Sequence, residues 1–378
     1  MNELVSVLFT GDFCPHGRVE ELVKKSQFEA IFGDFLSVLQ STDLNVTDLE
    51  CPLTTSEYKR KKTGPHQKAS PLNAKLLGFG NFQLVALANN HIMDYGEKGV
   101  QDTLTELSNY KINFVGLNKN YYESRKPFVF QSKGKKIAII NISENEFVTL
   151  PENNFYVNKL NVFDNFVDIQ KAKSENQFVV IIFHGGNEHY NLPSPERQKL
   201  MRLYVLAGAD AIISHHTHCY SGYEIFKGSP IFYGLGNFIY DLPGRINSPW
   251  NLGFAVKLIF NETISFEIFP YEQCGLTPGI TLLQNENQLF YENLYKLNHI
   301  IQDEEKLIKN FKDYCNKISN GYENFLEPNF GKPISFLRLK GAFPKLMGHQ
   351  KKRLFLNLFR CSTHNEAMVN ILKKYEEL

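Results

Sequence analysis

The chain has 378 residues, and its 41 Lys and Arg nearly balance its 40 Asp and Glu. The formal net charge of +1 therefore predicts no general attraction to nucleic acid or to a membrane. The six cysteines are scattered without a CxxC pair, which argues against a disulfide scaffold or a zinc ribbon and fits a reducing cytoplasm. No signal peptide is recognisable, and no apolar run approaches the ~20 residues that span a bilayer, so we expect a cytoplasmic protein without a transmembrane segment.

Apolar runs that end in polar residues predict the framework of the chain. Runs at residues 5–9, 44–49, 82–88, 178–183 and 211–213 predict buried strands, and residues 112–115 and 136–142 predict two more. Helical spacing of apolar residues predicts helices at 19–39, 97–107 and 196–207, the last beginning at Ser194 and Pro195. This succession indicates an α/β domain, which we place at residues 1–280.

Beyond residue 280 the pattern changes. Apolar residues at helical spacing among Glu and Lys predict helices within 289–318 and 354–378, so we expect a mostly helical carboxyl-terminal extension at residues 281–378. The basic stretch 338–353 lies between the two helical segments. Such a charge run is more often a solvated face than a dedicated contact with an anion or a membrane, and we interpret it that way.

Five of the predicted strands end at residues of types that bind metals: Asp12, Glu50, Asn90 with His91, His184, and His216 with His218. Sites in open α/β sheets lie beyond the carboxyl ends of strands, so residues far apart in the chain can converge there. Carboxylate and amide oxygens together with imidazoles suit Mn, Zn, Fe or Ni better than an all-oxygen Mg or Ca site. We therefore expect one or two divalent transition metals, a pair of them sharing a bridging carboxylate and activating a metal-bound hydroxide.

Taken singly, four of these residues also have a structural explanation. Asp12 follows a glycine and can serve in a turn or a helix cap, and Asn90 lies in a turn-prone Asn-Asn pair. Glu50 can be a surface carboxylate, and His184 can be a hydrogen-bonded core histidine. The combination of all the strand ends, rather than any one of them, favours a metal centre.

The histidine cluster at residues 215–218 has a weaker structural explanation, because three imidazoles within four residues are seldom needed for packing. Alternate residues of an extended segment point to the same side, so His216 and His218 are expected to face one site together. His215 would then be turned away from them, and it stays a further candidate ligand.

Six short motifs occur in order along the chain: Gly11-Asp12, Asp48-Leu49-Glu50, Asn89-Asn90-His91, His184-Gly185-Gly186, Ser214-His215-His216-Thr217-His218 and Leu235-Gly236-Asn237-Phe238. This series resembles the calcineurin-like metallophosphoesterase superfamily and, more closely, the bacterial CapA family, which is linked to capsule and poly-γ-glutamate synthesis. The resemblance covers roughly residues 4–245. It implies a four-layer α-β-β-α sandwich with metals at one edge of the paired sheets.

The resemblance also implies a role for each motif residue. Asp12 and His218 would bind the first metal, and Glu50 would stand at the bridging position. The second metal would be bound by the remaining ligands, Asn90, His184 and His216. His91 would be the catalytic residue that protonates the leaving oxygen or stabilises the transition state, which suits an imidazole because its pKa lies near the working pH.

Three departures from the family patterns concern the first two motifs. Glu50 stands where the superfamily usually has Asp, and its side chain reaches one methylene further. Cys14 stands where a histidine is common, so the first metal would be weaker, use Cys14, or recruit His16 from the next turn. Asp48 stands where the CapA family usually has Asn. Further candidates lie at the rim, where Glu144 follows a strand and Glu188 follows a ligand, although both can be solvated loop residues.

These residues support two functional hypotheses. The first is a metal-dependent hydrolase of the metallophosphoesterase type in capsule or poly-γ-glutamate biosynthesis, acting on an anionic small molecule or polymer. The second is a non-catalytic metal-binding component of a capsule or polyglutamate assembly that binds anionic polymer or a synthase partner. A capsule-synthesis protein is thus an expected partner, and nucleic acid is not.

Overall fold

The computed structural model describes residues 4–148, 154–242, 244–283, 287–327 and 331–372. Its strands, in chain order, are β1 (Val5–Cys14), β2 (Leu44–Leu49), β3 (Phe82–Ala86), β4 (Asn113–Val115), β5 (Leu117–Asn118), β6 (Phe128–Ser132), β7 (Lys135–Ser143), β8 (Tyr156–Val157), β9 (Phe178–His184), β10 (Ala211–His215), β11 (Tyr223–Phe226), β12 (Ser229–Phe232), β13 (Asn237–Tyr240), β14 (Leu252–Phe260), β15 (Ile264–Gln273) and β16 (Ile280–Leu282). All seven strands predicted from the apolar runs are present, with ends that differ by a few residues.

The larger strands form two mixed sheets. The first has the order β16-β15-β14-β1-β2-β3-β4, with β13 also paired to β1, and its β1, β2, β3 and β4 run parallel. The second has the order β11-β12-β10-β9-β7-β6, and its β7, β9, β10 and β12 run parallel. Parallel neighbours bring their carboxyl ends to the same edge of each sheet, which places residues from distant parts of the chain together.

The two sheets pack face to face, because side chains of β1 alternate between two hydrophobic clusters. Val7 and Phe9 join β9 and β10 residues such as Val180 and Ile213 in the cluster between the sheets. Leu8 points the other way, into a cluster with the helices that cover the first sheet.

The helices of the first 207 residues are α1 (Arg18–Lys24), α2 (Phe28–Phe32), α3 (Leu36–Gln40), α4 (Asn73–Phe79), α5 (Gly96–Asn109), α6 (Tyr121–Ser124), α7 (Val162–Glu175) and α8 (Pro195–Ala207). Helices α1 to α5 contribute to the cluster on the outer face of the first sheet, while α7 and α8 contact the second sheet. The layers are therefore helix, sheet, sheet and helix, as the resemblance implied.

The single helix predicted at 19–39 is wrong, because the segment is broken into α1, α2, a 3-10 turn at Gly33–Phe35, and α3. Gly33 has a φ of 52°, and a Cβ at this position would lie 2.7 Å from the backbone oxygen of Ile280. The chain therefore turns at Gly33 to pass close to β16. Apolar spacing continues through this turn, which is why the sequence suggested one helix.

The chain divides into two compact units, Met1–Leu307 and Ile308–Leu378. The later helices are α9 (Asn287–Ile301), α10 (Glu304–Leu326), α11 (Lys332–Leu339), α12 (His349–Arg360) and α13 (Ser362–Leu372). Phe290 and Leu294 of α9 join the cluster between the sheets. The domain boundary at residue 280 stays a prediction.

The helix predicted within 289–318 is two helices. The Asp303 carboxylate accepts a hydrogen bond from the backbone N–H of Lys306, which caps the start of α10 and separates it from α9. The helix predicted within 354–378 begins earlier as α12 and continues as α13, and residues 373–378 lie outside the described residues. Among the described helices, none combines the length and apolar character that crossing a membrane requires.

Candidate metal centre

All the predicted ligands lie at one edge of the paired sheets. Asp12 is near the end of β1, Glu50 follows β2, Asn90 and His91 follow β3, and His184 ends β9. The histidine cluster begins at the last residue of β10. All these side chains are buried, and within the described residues three groups of them can hold a metal ion: Glu50 with His184 and His216, Asp12 with Glu50 and His218, and Asp12 with Asp48 and His184.

Glu50 is the member that the first two groups share. Its Oε1 lies 3.6 Å from His184 Nε2 on one side and 3.6 Å from His218 Nε2 on the other. The residue is fully buried, yet neither carboxylate oxygen has a hydrogen-bond partner among the described residues. Burial raises the pKa of this carboxyl well above its usual value.

An unpartnered buried carboxylate is costly for a fold unless a cation or a proton compensates it. Glu50 belongs to two of the ligand groups and has one imidazole on either side of it, so its position fits a residue that helps to hold a metal ion. The surrounding carboxylates and neutral imidazoles are the donor types that divalent transition metals accept. The donor set of this chain thus fits a metal centre on its own geometry.

Three side chains converge on the Glu50–His184–His216 side of the centre. His184 Nε2 lies 3.0 Å from Asn90 Oδ1 and 3.2 Å from His216 Nδ1. Burial lowers the pKa of both His184 and His216 well below the usual imidazole value, so both rings are neutral. His184 Nδ1 lies 3.0 Å from Asp48 Oδ2, which holds the ring with Nε2 towards the cluster.

Asp12 organises the other side of the centre. Its Oδ1 lies 2.8 Å from His215 Nδ1, and its Oδ2 accepts the backbone N–H of His216 at 3.1 Å and lies 3.3 Å from His218 Nδ1. Burial opposes ionisation of Asp12, but the hydrogen bonds with His215 and His218 outweigh it and lower the pKa of the carboxyl. Burial lowers the pKa of His215 and of His218, but the hydrogen bonds and charges around each ring, led by those of Asp12, together outweigh burial and raise both pKa values.

The turn after β10, rather than an extended segment, aims the histidine cluster. Strand β10 ends at His215, and the next two imidazoles have positive φ angles, 87° at His216 and 54° at His218. The alternation argument for these residues was therefore wrong, although both rings do face the cluster. Left-handed conformations at non-glycine residues cost energy and collect at functional sites.

Cys14 and His16, the two candidates for completing the first site, face other neighbours. Cys14 lies in the hydrophobic cluster on the helical side of the first sheet, where burial and a contact with the Cys51 thiol raise its pKa. The His16 ring contacts Tyr240 edge-on at 5.2 Å. Neither residue belongs to any of the three ligand groups found among the described residues.

The rim carboxylates divide between structural and site-facing positions. Glu144 forms an ion pair with Arg197 and accepts the Gly186 backbone N–H at 2.9 Å, so both of its oxygens have partners. Glu146 instead lies with Oε2 3.6 Å from His216 Nε2. Glu188 is exposed. Burial raises the pKa of Glu50 and of Glu146, and the negative charge of nearby Glu188 raises both pKa values further.

His91 is held by two residues that the sequence reasoning passed over. His91 Nδ1 lies 2.6 Å from Asp94 Oδ2, and the Lys62 ammonium pairs with the other oxygen of the same carboxylate. The Lys62 side chain is 1% exposed and lies 4.8 Å from the Phe147 ring centroid, although it belongs to the basic run Lys59-Arg60-Lys61-Lys62. Asp94 lies three residues after His91, at the end of the Asn89-Asn90-His91 motif, which was a usable signal, but nothing local to Lys62 marked its side chain as buried.

Comparison with known proteins identifies the family of this chain. Residues 6–242 match the family described as bacterial capsule synthesis protein PGA_cap. The chain is 28% identical over 286 residues to the PGA biosynthesis protein CapA of Bacillus subtilis, which covers 74% of each chain. It is also 28% identical over 300 residues to the capsule biosynthesis protein CapA of Bacillus anthracis, covering 76% of this chain and 72% of that one.

Two more distant similarities extend the comparison. A probable polyglutamine synthesis accessory protein of Mycobacterium tuberculosis is 23% identical over 228 residues, which is 56% of this chain and 60% of that protein. The crystal structure of a hypothetical protein from Thermus thermophilus aligns with a TM-score of 0.44 and 13% identity over 70% of this chain and 99% of the other. CapA proteins belong to the calcineurin-like metallophosphoesterase superfamily. Because the family match spans more than half of the 378 residues, this chain is a member of the bacterial capsule synthesis protein PGA_cap family.

Proposed function

We propose that the chain is a metal-dependent hydrolase of the metallophosphoesterase type that acts in capsule or poly-γ-glutamate biosynthesis. The observation that carries the proposal is Glu50, whose buried oxygens lack hydrogen-bond partners among the described residues and face one imidazole on either side. The names of the Bacillus relatives support the biosynthetic context. The buried ligand groups support the chemistry.

Two divalent ions, of Mn, Zn, Fe or Ni, would share Glu50. The first would be held by Asp12 and His218, and the second by the remaining three ligands, Asn90, His184 and His216. When bound, such a pair supplies a nucleophile at neutral pH and stabilises negative charge on the attacking and leaving oxygens. The protein's contribution is to fix the ligand positions and to keep the His184 and His216 rings neutral.

His91 is the proton donor in this proposal. Its Nδ1 hydrogen bond with Asp94 fixes the ring, which leaves Nε2 as the atom that carries the proton to the leaving oxygen. Lys62 balances the charge of Asp94 and keeps that carboxylate in place behind the ring. Asp94 thus orients the His91 ring, and the Lys62 ammonium lies on the Nδ1 side of that ring, away from the proton on Nε2.

The substrate that fits best carries an anionic group near Arg245. The Arg245 guanidinium lies 5.4 Å from the Trp250 ring centroid and 3.4 Å from His189 Nε2. Trp250 in turn contacts the His218 ring at 4.7 Å. The exposed Arg245 guanidinium thus lies one aromatic ring away from His218 on the first-metal side. There it can bind a phosphoester or the carboxylates of a polymer.

A non-catalytic, metal-binding role in a capsule or polyglutamate assembly is the second candidate. The observation that favours it is Cys14, which stands where the superfamily commonly has a ligand and faces the hydrophobic cluster instead. If the first site bound metal only weakly, the chain would hold a single ion on the second side. It would then bind its ligand without hydrolysing it. A synthase subunit or an anionic polymer would then be the partner.

The deciding experiment measures metal content and turnover on the same samples. Purified chain is stripped, reloaded separately with Mn, Zn, Fe or Ni, and analysed for bound metal by elemental analysis. Trp250 is the only tryptophan of the chain and lies beside His218, so quenching of its fluorescence by Ni reports occupancy of the first side. Hydrolysis of an aryl phosphate is then assayed at each occupancy.

The hydrolase proposal expects two ions per chain and turnover that His91→Asn abolishes while the metal content is retained. Exposed His299, in α9, is the matched histidine control, and His299→Asn should change neither quantity. Fully loaded chain that is inert towards phosphoesters and binds poly-γ-glutamate would overturn the enzyme in favour of the second candidate.

A further inference from the structure

The second compact unit contains a segment with a one-sided charge. Residues 331–361 contain eight Lys and Arg and no Asp or Glu, although the whole chain is nearly neutral. The same 31 residues contain twelve large apolar side chains, counting Phe, Leu, Ile and Met. A segment that is both basic and apolar, and free of acidic residues, differs from an ordinary solvated charge run.

Helix α12 concentrates this composition. Leu354, Phe355, Leu358 and Phe359 recur at the spacing that places them along one stripe of an α-helix. No residue of α12 is buried, and Leu354 and Phe359 are 58% and 59% exposed. Phe355 and Leu358 of the same stripe are half-buried. A stripe of this kind in a globular helix normally faces a core, so the exposure of Leu354 and Phe359 indicates a surface that another phase or molecule covers.

The cations of the segment fall into two sets. Lys345 and Lys352 pair with Glu323 of α10, so their charges are satisfied inside the second unit. Lys351, Arg353 and Arg360 of α12 are exposed, and helical spacing places Arg353 and Arg360 on the polar side of the helix, opposite the apolar stripe. We name the exposed side chains Lys351, Arg353, Leu354, Leu356, Phe359 and Arg360 the α12 face.

We propose that the α12 face docks the chain on the surface of an anionic phospholipid bilayer. Its Leu and Phe side chains enter the boundary between headgroups and acyl chains, and its Lys and Arg side chains meet the lipid phosphates. Charge complementarity favours this occupant, because an interfacial helix combines a basic polar side with exposed Leu and Phe and lies in the membrane plane without crossing it. Nucleic acid would use the cations but leave the aliphatic side chains unburied.

The test is co-sedimentation of the full chain with vesicles. Vesicles of phosphatidylcholine with about a third phosphatidylglycerol should pellet the chain at about 0.1 M salt, and pure phosphatidylcholine vesicles should pellet much less of it. Raising the salt to about 1 M shortens the Debye length from about 10 Å to about 3 Å and should release most of the bound chain. Equal binding to both kinds of vesicle, or none to the anionic kind, overturns the proposal.

Two variants separate the charged from the apolar contribution. Lys351→Glu with Arg353→Glu should weaken binding to anionic vesicles by more than about 25-fold, since each cation near such a surface contributes about fivefold. Leu354→Ser with Phe359→Ser should weaken it on the order of tenfold while the salt dependence remains. All four side chains are exposed, so thermal unfolding of either variant should match the wild type.

Matched controls lie on the first unit, where Lys24→Glu with Lys25→Glu changes exposed charges and Leu276→Ser changes an exposed apolar side chain. These controls should leave vesicle binding within about twofold, because they lie outside the α12 face. If single-stranded RNA binds more tightly than the vesicles, and only the charge variant weakens that binding, the surface is a nucleic-acid site and the proposal is wrong. The experiment does not involve the metal centre, so its result is independent of the proposed hydrolase.

Discussion

The two sides of the candidate metal centre share Glu50 but differ in what surrounds them. On the second-metal side, His184 and His216 are neutral rings whose nitrogens lie 3.2 Å apart and beside an amide oxygen. On the first-metal side, Asp12 is already hydrogen-bonded to His215 and to the backbone of His216. The second side has its donor atoms directed at one point, whereas the first side has its carboxylate engaged with protein donors.

This difference indicates an order of metal affinity. A cation entering the second side meets neutral imidazoles, each with one nitrogen lone pair available, so binding there need not displace a second ring proton. A cation entering the first side competes with the proton that Asp12 stabilises on His218. We therefore expect the second side to bind more tightly, with Glu50 completing both sites.

Glu50→Gln should have the largest effect on metal affinity, because it removes the charge that both sides share. We expect both metal affinities to fall by more than about 100-fold. Loss of a residue that only supports a ligand lowers metal affinity by up to about 100-fold, and loss of a ligand itself should cost more. Elemental analysis and Trp250 fluorescence measure the loss. The metal-free variant should be at least as stable as the wild type, because the buried carboxyl has no hydrogen-bond partner to lose among the described residues.

Glu188→Gln is the control for that substitution, since it removes an exposed rim carboxylate at the same edge. It should leave both affinities within a few fold. Retention of one tightly bound ion in Glu50→Gln would show that Glu50 serves one site only.

Lys62→Met tests whether the support behind His91 is separate from both metal sides. Removing the partner of a buried carboxylate should lower stability by about 3 kcal/mol and turnover by about 10- to 100-fold, because Asp94 would no longer be held behind His91. The metal content should not change, since Lys62 contacts His91 and Asp94, and neither of these is a proposed metal ligand.

Lys62→Arg keeps the charge and should recover part of the turnover, while Lys59→Met, at an exposed position of the same loop, should have no effect. Turnover is measured by hydrolysis of an aryl phosphate and stability by urea unfolding. Loss of metal from Lys62→Met would contradict the separation of the two roles.

The sequence predicted the convergence of the site better than its local geometry. Apolar runs that end in polar residues located the carboxyl ends of β1, β2, β3, β9 and β10, because parallel strands must share an edge. The positive φ angles at His216 and His218 were not predictable, since they depend on contacts with Asp12 that join residues about 200 apart. The break of the first helical segment at Gly33 likewise depends on β16, which is distant in sequence.

The direction in which Cys14 and Lys62 point was equally hidden. Cys14 follows Asp12 closely in the chain but faces the hydrophobic cluster, and Lys62 belongs to a basic run but pairs with Asp94. Strand alternation predicts which face a residue occupies only when the register is known. A buried lysine within a basic loop has no local signal at all.

Cys14→His tests the weaker side directly. If Cys14 merely replaced a ligand, this substitution would restore the common motif and tighten the first metal. Because the side chain faces a filled cluster, we expect instead a loss of stability of about 1–3 kcal/mol from overpacking and no gain in metal affinity. Cys14→Ser should not alter the metal content either. A second ion that tightens in Cys14→His would refute the assigned orientation.

The two sides should also respond to pH with opposite signs in the metal-free chain, with effects on the order of 1.4 kcal/mol for each unit of pKa shift. On the first side, Asp12 raises the pKa of His215 above its usual value of about 6.5. His215 therefore contributes stability below about pH 6.5, and the contribution is lost as the pH rises through the folded-state pKa. On the second side, burial lowers the pKa of His184, so the unfolded chain gains a proton below about pH 6.5 that the folded chain does not, and stability is lost on acidification.

Asparagine substitutions isolate these two terms, because an Asn amide can replace the Nδ1 hydrogen bond of either ring without titrating. Urea unfolding in the presence of a chelator at pH 5.5 and pH 8 should show that His215→Asn costs more stability at pH 5.5 than at pH 8. His184→Asn should show the reverse, costing less at pH 5.5, because the variant no longer has a ring that the fold keeps unprotonated. The same sign in both variants would mean that the two sides do not differ in protonation, and the expected order of metal affinity would lose its physical basis.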